Sequence, residues 1–147
     1  MTEVVQALRF YSHRRGPLRC LSNFYPSPFA LDGMTWPTVE HFFQAMKFRN
    51  ATRREQIRLS ADPAEAKRLG RLLGSRPDWE WIRDDVMLGA LRAKFTQLHE
   101  LRAVLVGTGT AMLIEAAPDD YYWGEGADRV GKNMLGLLLM QVRAELS

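Results

Sequence analysis

The spacing of hydrophobic residues divides the chain into a short extended part followed by a longer helical part. Residues 7–11 have a mixed apolar pattern that is typical of an extended strand. Residues 29–36 carry the turn signal Asp32-Gly33 between apolar residues, which predicts a short β-hairpin. From residue 38 onwards, apolar residues recur at the intervals of amphipathic helices. The pattern therefore predicts an α+β fold that is mostly α-helical, with a small N-terminal β element.

Residues that can cap helices mark where the predicted helices begin. A side-chain oxygen at the N-cap accepts a hydrogen bond from a backbone N–H group that has no partner inside the helix. The predicted caps are Thr38, Thr52 in a capping box with Glu55, Asp62 followed by Pro63, and Asn133. Gly70 is predicted to end the helix that follows Asp62. The predicted helices cover residues 38–48, 52–59, 62–70, 78–95, 96–106 and 134–146, with a strand over 112–115 and a loop over 118–132.

The length and composition are those of one ordinary globular domain. The chain has 147 residues, of which 46% are hydrophobic and 25% charged, so we expect a single domain over residues 1–147. Cys20 is the single cysteine, which excludes an intrachain disulfide and a zinc site built on several cysteines. Residues 1–10 lack the apolar core of a signal peptide, and runs such as residues 137–140 are too short to span a bilayer. We therefore expect a cytoplasmic protein with no membrane contact and no obligate protein partner.

The charge of the chain is mildly basic and dominated by arginine. The net charge is +3, and sixteen arginines stand against four lysines. Arginine grips phosphate with two hydrogen bonds, although a genome that favours arginine codons would give the same composition. The basic residues are spread along the chain, so a general nucleic-acid surface is only weakly indicated. A candidate phosphate-binding set, which would equally suit a solvated helix face, consists of Lys67, Arg68, Arg71 and Arg76, with Arg14 and Arg15 upstream.

The helix predicted after Thr38 carries the first candidate site. Glu40, Gln44 and Lys47 are spaced by four and three residues, which places them on one helix face. A carboxylate, an amide and an ammonium group are costly to bury unless they are paired or used. The alternative is a solvated helix face with an ordinary Glu–Lys pair. His41 points to a different side of the helix and is expected to be a structural histidine.

The loop over residues 119–133 carries the second candidate site. It contains three glycines, four acidic residues and three adjacent aromatic residues, and long loops in compact domains are often functional. Aromatic rings can stack on a base, and carboxylates can bind sugar hydroxyls or transfer protons. The alternatives are a surface loop anchored by its aromatic residues or a calcium loop, but the acidic spacing does not match an EF-hand. At the loop end, Asn133 could aim backbone N–H groups at a phosphate.

The sequence offers no recognisable cofactor or metal signature. It contains no Walker motif, no G-x-G-x-x-G and no G-x-S-x-G. The three histidines, His13, His41 and His99, are not spaced as ligands on one element. We therefore expect chemistry that needs no cofactor and no metal ion, and that continues in the presence of EDTA.

These segments together resemble the NADAR (YbiA-like) family. The resemblance runs from about residue 10 to residue 146. The blocks T-x-E-H-F-F-Q-A-x-K-F and Y-W-G-x-G carry its most specific part. The matching segments cover residues 20–25, 36–48, 66–71, 76–79, 94–95, 113–115, 120–126 and 131–136.

The resemblance implies an N-glycosidase. Members of the bacterial type are taken to hydrolyse the C–N bond of ribosylaminopyrimidine 5′-phosphates, which are reactive intermediates of riboflavin biosynthesis, and so to release ribose 5-phosphate. Other members are linked to ADP-ribose, which leaves open a hydrolase that removes ADP-ribose from guanine bases. A non-catalytic module that binds ADP-ribose is the third alternative. Nucleic acid would be a partner only under the ADP-ribose alternatives, and the expected partner is otherwise a small phosphorylated ribosyl substrate.

Residue roles follow from this resemblance and from the chemistry of the bond. In riboflavin-type members the implicated residues match Glu40, Trp79, Asp120 and Trp123. By analogy with glycoside hydrolases, we expect two carboxyl groups, from Glu40 and Asp120, to flank the scissile bond. A desolvated Lys47 amine could instead attack C1′ and form a Schiff base. The expected substrate-binding residues are Ser22 and Asn23 for sugar or base, Lys67 and Arg71 for phosphate together with Arg14 and Arg15, Trp79 and Trp123 for the base, and also Gln44 and Asn133.

Overall fold

The computed structural model describes residues 6–72 and 74–147, which form an α+β fold dominated by helices. Residues 1–5 of the segment considered for a signal peptide lie outside this range. Within the described residues, each helix is too short or too polar to cross a membrane. The elements in chain order are β1 (Ala7–Phe10), a 3₁₀ helix (Arg19–Leu21), β2 (Phe29–Leu31), β3 (Met34–Trp36), α1 (Val39–Ala45), α2 (Ala51–Arg58), α3 (Pro63–Arg71), α4 (Trp79–Gln97), α5 (His99–Gly107), β4 (Met112–Glu115) and α6 (Met134–Leu146).

The chain folds into two compact units. One unit, here called the central unit, consists of Asn23–Leu98. The other, here called the terminal unit, consists of Met1–Ser22 and His99–Ser147. The α+β class is confirmed, whereas a single domain over residues 1–147 stays a prediction.

In the central unit, α1 is the buried helix around which the other elements pack. All seven of its residues are buried, and it contacts α2, α3, α4 and β3. Phe42 of α1 packs edge-to-face on Trp36, with ring centroids 5.1 Å apart, and also meets Phe29. Because no face of α1 is left to solvent, its polar side chains must be accommodated inside the unit.

The hairpin that precedes α1 confirms the turn prediction. Strands β2 and β3 pair antiparallel, with Phe29 opposite Trp36. Asp32 and Gly33 both have positive φ values, 54° and 76°, which is the requirement of a type I′ turn. The hairpin places its two buried aromatic residues on the face that meets α1.

Two of the predicted caps in the central unit are confirmed, and one is wrong. Thr38 accepts a hydrogen bond from the N–H of His41, and Asp62 accepts one from Glu65. The cap of α2 instead lies two residues earlier, at Asn50, because Asn50 Oδ1 accepts from the N–H of Arg53 at 3.0 Å. Thr52 therefore lies inside the first turn, where it cannot act as the cap.

Three predicted helix ends also differ from the structure. Helix α1 ends at Ala45, and residues 46–47 form a turn after it. Helix α4 continues to Gln97, and α5 starts only at His99. Gly70 does not end α3, which continues through Arg71, and its Cα lies against the side chain of Gln44. The glycine is therefore explained by space between two helices.

The terminal unit is organised by a parallel strand pair that the local pattern does not reveal. Strands β1 and β4 pair in parallel, with Ala7 opposite Met112 and Phe10 opposite Glu115. Helix α6 packs on β4 and on α5, and α5 also contacts the 3₁₀ helix, in which Cys20 is buried. The strand predicted over residues 112–115 is confirmed as β4, and its parallel partner is the N-terminal strand β1.

Asn133 stands at the start of α6 but does not cap it with its side chain. Its backbone is left-handed, with φ 53°, and its side chain makes no capping hydrogen bond. The amide instead accepts from the N–H of Glu115 and donates to the carbonyl of Leu113, both at 2.9 Å. Gly136 lies close by, because a Cβ there would be 2.1 Å from the Leu113 oxygen. Asn133 thus fastens β4 to the start of α6.

The corrected cap of α2 can be tested by stability measurements. We expect Asn50→Ala to lower the free energy of unfolding by about 1 kcal/mol, because one orphan N–H group loses its acceptor. The matched variant Thr52→Ala should change it by less than about 0.5 kcal/mol. Urea denaturation of both variants measures this, and a larger loss at Thr52 than at Asn50 would contradict the assignment.

Candidate active site

The packing of α1 against α3 brings five polar side chains together in the central unit. Glu40 and Gln44 lie one turn apart on α1, and Lys47 follows the end of that helix. Charges on Lys47 and on two residues of α3 act directly on Glu40. We call this set the charged cluster; it consists of Glu40, Gln44, Lys47, Lys67 and Arg71.

Glu40 is held rigidly on α1. Gln44 Nε2 donates to Glu40 Oε1 at 2.7 Å, and the backbone N–H of Glu40 donates to the carbonyl of Asn23 at 3.2 Å. Only 8% of Glu40 and 3% of Gln44 is exposed. The alternative of a solvated helix face is therefore wrong. The direct bond shows that the buried carboxyl group and the amide stabilise each other.

Burial dominates the protonation of Glu40 and raises the pKa of its carboxyl group above the ordinary value. The hydrogen bond from Gln44 opposes this shift, and so do the charges of Lys67, Lys47 and Arg71. Because the upward influence is the largest, Glu40 retains a proton at higher pH than an exposed glutamate. A carboxyl group of this kind is suited to donate a proton to a leaving group.

Lys47 has the opposite shift. Burial lowers the pKa of its ammonium group, and the neighbouring charges of Arg71 and Lys67 lower it further, whereas Glu40 raises it. Its Nζ lies 5.8 Å from the ring centroid of Phe43. The Lys47 carbonyl accepts from the N–H of Arg76 at 2.7 Å, which fixes the backbone there. A partly desolvated amine is the form of lysine that acts as a nucleophile.

Of the six basic residues considered for phosphate, two join the charged cluster. Lys67 and Arg71 lie one turn apart on α3, and Lys67 Nζ is 5.9 Å from the Phe24 ring centroid. Arg68 and Arg76 are instead engaged in ion pairs with carboxylates. Arg14 and Arg15 are exposed residues of the terminal unit.

The remaining predicted residues of the central unit are mostly buried. Trp79 begins α4 and is 7% exposed, and its ring lies 5.0 Å from that of Phe43. Asn23 Nδ2 lies 3.5 Å from Met87 Sδ, while its buried Oδ1 has no hydrogen-bond partner within the described residues. Asn23 therefore offers an acceptor next to the backbone that holds Glu40.

His41 is structural, as its position on α1 predicts. Its Nδ1 lies 2.8 Å from Thr38 Oγ1, and its Nε2 lies 3.2 Å from the carbonyl of Ser60. Burial lowers the pKa of the ring, so the neutral form is favoured. Nε2 thus links α1 to the chain that follows α2, and Nδ1 contacts the residue that caps α1.

In the terminal unit, Asp120 organises the aromatic part of the long loop. Its Oδ1 accepts hydrogen bonds from the N–H groups of Tyr122 and Trp123, at 3.0 and 2.8 Å. The two aromatic rings meet edge-to-face with centroids 4.8 Å apart. Gly126 has φ 73° and lies under Tyr121, where a Cβ would come within 2.3 Å of the ring. The loop is therefore packed by its own side chains, and Ser22 is a buried residue of the same unit.

Glu115 is a titratable residue that sequence reasoning did not single out as a site residue. Burial and the nearby charge of Asp120 raise the pKa of its carboxyl group to about 8. Its Oε2 is buried and has no hydrogen-bond partner within the described residues. The signal for it was the acid at the end of the predicted apolar strand over residues 112–115. Glu115 is therefore largely protonated at neutral pH.

A metal ion in a protein needs several ligand side chains close together. Across residues 6–72 and 74–147, no three His, Cys, Asp or Glu side chains are placed to hold one. The two carboxyl groups with raised pKa values, Glu40 and Glu115, belong to different units.

The fold and the charged cluster define a small α+β protein whose candidate site combines a buried carboxyl group with three cationic side chains. The model of the NADAR domain matches residues 9–147, and the chain belongs to this family. The resemblance of its motifs is thereby confirmed.

Several relatives and one solved structure resemble the chain closely. N-glycosidase YbiA of Escherichia coli is 48% identical over 128 residues, which cover 86% of this chain and 80% of that protein. N-glycosidase Npun_R5314 of Nostoc punctiforme is 39% identical over 88% of this chain and 86% of its own length. The chloroplastic riboflavin biosynthesis protein PYRR of Zea mays is 40% identical over 85% of this chain, but only 23% of that protein is covered. The NMR structure of E. coli YbiA superposes with a TM-score of 0.89 at 44% identity, covering 99% of this chain and 87% of that one.

The protonation of Glu115 leads to a prediction about stability. Its pKa is about 8 in the folded state, against 4.5 for an ordinary glutamate. Between these pH values the folded chain binds a proton that the unfolded chain does not, so this contribution to stability is lost as the pH rises through 8. We expect Glu115→Gln, which cannot ionise, to be more stable than the wild type at pH 9 by at least about 1 kcal/mol.

Thermal or urea unfolding of Glu115→Gln and wild type between pH 5 and pH 9 measures this difference. The advantage of the variant should shrink towards pH 5, where both side chains are neutral. Glu80→Gln, at an exposed position on α4, is the matched control and should not alter the pH dependence. Parallel stability curves for Glu115→Gln and wild type would contradict the assignment.

Proposed function

We propose that this chain is an N-glycosidase that hydrolyses the C–N bond of ribosylaminopyrimidine 5′-phosphate intermediates of riboflavin biosynthesis and releases ribose 5-phosphate. The observation that carries the proposal is the charged cluster, in which a buried carboxyl group of raised pKa is surrounded by three cations. The names of the relatives support it, since they include N-glycosidases and a riboflavin biosynthesis protein. The substrate is accordingly a small phosphorylated molecule.

The charge balance of the cluster suits a phosphate. Lys47, Lys67 and Arg71 act on a single carboxyl group, so positive charge is in excess even when Glu40 is ionised. A phosphate monoester carries about −1.5 to −2 charges at neutral pH and would compensate this excess. Lys67 and Arg71 are spaced by one turn of α3, which lets both reach one anion.

Glu40 is proposed as the proton donor to the departing base. Breaking the bond between C1′ and nitrogen leaves positive charge at C1′ and negative charge on the base, so protonation of the base lowers the barrier. The Gln44 N–H occupies Oε1 of Glu40, which leaves the proton on Oε2. The acid is thus directed by its hydrogen bond.

The other predicted site residues keep the roles expected from the sequence, as proposals. Asp120 would supply the second carboxyl group that the glycosidase scheme requires, and Trp123 would provide a stacking surface for the base. Trp79 would contact the base with the small part of its ring that is exposed, and Ser22 and Asn23 would bind sugar or base. The amide of Asn133 is engaged with β4, so a role in binding would fall to its backbone.

Product analysis tests the proposed reaction. Purified protein is incubated in EDTA with equimolar ribosylaminopyrimidine 5′-phosphate and ADP-ribosylated guanosine, and the products are identified by mass spectrometry. We expect ribose 5-phosphate and free aminopyrimidine. Glu40→Gln should lower turnover at least ~10²-fold, the usual effect of losing a general acid.

The controls separate catalysis from folding. Glu80→Gln should leave turnover unchanged, and circular dichroism should show both variants folded. Release of ADP-ribose instead would identify the alternative hydrolase, and the absence of any product would favour a binding module. Near-normal turnover of Glu40→Gln would remove Glu40 from the mechanism.

A covalent route through Lys47 is tested separately. The neutral amine attacks C1′, the C1′–N bond breaks as the base takes up a proton, and the opened ribose is held as a Schiff base until water hydrolyses it. Borohydride reduces the C=N bond to a stable amine. We expect a ribose phosphate adduct on Lys47 by peptide mass spectrometry when borohydride is added during turnover.

Lys47→Arg is the matched control for the trapping experiment. It keeps the positive charge but cannot form the Schiff base, so it should give no adduct. An active wild-type enzyme without an adduct would exclude the covalent route and leave direct attack by water.

A further inference from the structure

Gly70 is the penultimate residue of α3 and is buried there. Glycine is a poorer helix former than alanine, so a helical glycine calls for a reason in its surroundings. A Cβ at this position would lie 2.0 Å from Gln44 Oε1, 2.8 Å from its Cδ and 3.1 Å from its Cβ. The space that a side chain at position 70 would fill is therefore occupied by the amide of Gln44.

The amide that fills this space also touches the proposed acid. Gln44 Nε2 donates to Glu40 Oε1 at 2.7 Å, so the amide lies between Gly70 on α3 and Glu40 on α1. Gln44 Oε1 is buried and has no hydrogen-bond partner within the part of the chain that the structure describes. The side-chain amide is thus held by its bond to Glu40 and by packing against Gly70.

We infer that Gly70 is a positioning residue for the reaction, because its missing side chain lets Gln44 hold one oxygen of Glu40 and so directs the acid. The inference rests on the proposed role of Glu40 as proton donor. Gly70 itself touches neither substrate nor reacting atoms; it acts through Gln44.

The electrostatic consequence of losing this arrangement has a defined sign. The hydrogen bond from Gln44 is the largest influence that lowers the pKa of Glu40. The charged groups that act on Glu40 are Lys47 after α1 and Lys67 and Arg71 on α3, and a methyl group at position 70 leaves their charges in place. Displacing the amide should therefore raise the pKa of Glu40 further.

The experiment compares Gly70→Ala, Gln44→Ala and the double variant with the wild type. Gly89→Ala is the matched control, because Gly89 lies in α4 and a Cβ there meets nothing within 4 Å. Two readouts are used. The first is kcat/KM for ribosylaminopyrimidine 5′-phosphate as a function of pH. The second is a ¹³C NMR titration of the Glu40 carboxyl group, assigned with Glu40→Gln.

We expect Gly70→Ala to lower kcat/KM about 10- to 100-fold, the scale of a misplaced catalytic group, and to raise the pKa of Glu40 in the titration. Gln44→Ala should have the same two effects. Gly70→Ala should add little in the Gln44→Ala background, because that variant removes the Oε1 and Cδ atoms that a Cβ would meet at 2.0 and 2.8 Å and leaves only the Cβ at 3.1 Å. Gly89→Ala should behave as the wild type.

Two results would overturn the inference: a folded Gly70→Ala with normal turnover and an unchanged Glu40 titration, or losses that add in the double variant. If Gly70→Ala alone does not fold, the comparison of the double variant with Gln44→Ala decides the question in the same way. Failure of the proposed function is recognised separately. A fully active Glu40→Gln would show that Glu40 is not the proton donor, whereas the titration of Glu40 still reports whether Gly70→Ala displaces Gln44.

Discussion

The hydrogen bond from Gln44 to Glu40 is the interaction on which the candidate site depends. Helix α1 is buried on every side, so a carboxyl group on it is deprived of water and must find its partners within the protein. Gln44 supplies one partner from the next turn of the same helix. That solution brings a second polar group into the core, and the close approach of α3 at Gly70 is what accommodates it. The close packing of α3 against α1 and the orientation of Glu40 therefore depend on each other.

The carboxyl groups of the two units differ in their hydrogen-bond partners and in the charges around them. In the terminal unit, Asp120 uses its oxygen to accept two backbone N–H groups and so fixes the aromatic turn. Glu115 receives no such donor at Oε2, and desolvation with the adjacent charge favours its protonated form. In the central unit, Glu40 has both a donor and nearby cations, yet burial still outweighs them. Burial is thus the largest influence on the pKa of both Glu40 and Glu115, although their surroundings differ.

Sequence reasoning succeeded where the determining contacts are local. The caps Thr38 and Asp62 and the Asp32-Gly33 turn act over three or four residues, and all three are confirmed. The cap predicted at Thr52 was wrong because the side chain of Asn50, two residues earlier, accepts the hydrogen bond from the N–H of Arg53. Long-range relations were missed: Gly70 looked like a helix terminator because the side chain that needs its space lies 26 positions away, 70 − 44, in the chain. The parallel pairing of β1 with β4 and the bridging amide of Asn133 have no local signature either. Among the site residues, the spacing correctly placed Glu40 and Gln44 on one helix, whereas Lys47 lies after the end of α1 and not on the predicted helix face. The burial of Glu40 and Gln44 could not be read from a helix taken alone.

The same cations that would bind a phosphate also act on the proposed acid, and this couples binding to protonation. The charges of Lys47, Lys67 and Arg71 lower the pKa of Glu40. A bound phosphate would compensate those charges and add its own negative potential, and both effects favour the protonated carboxyl group. By linkage, a protonated Glu40 must in turn favour phosphate binding to the same degree. Under the proposed function, the phosphate of the substrate therefore favours the protonated form of Glu40, the acid that acts in its cleavage. The phosphate then contributes to the chemical step as well as to affinity. The bond from Gln44 has a separate part in this scheme: it occupies Oε1 and so directs the proton of Glu40 to Oε2.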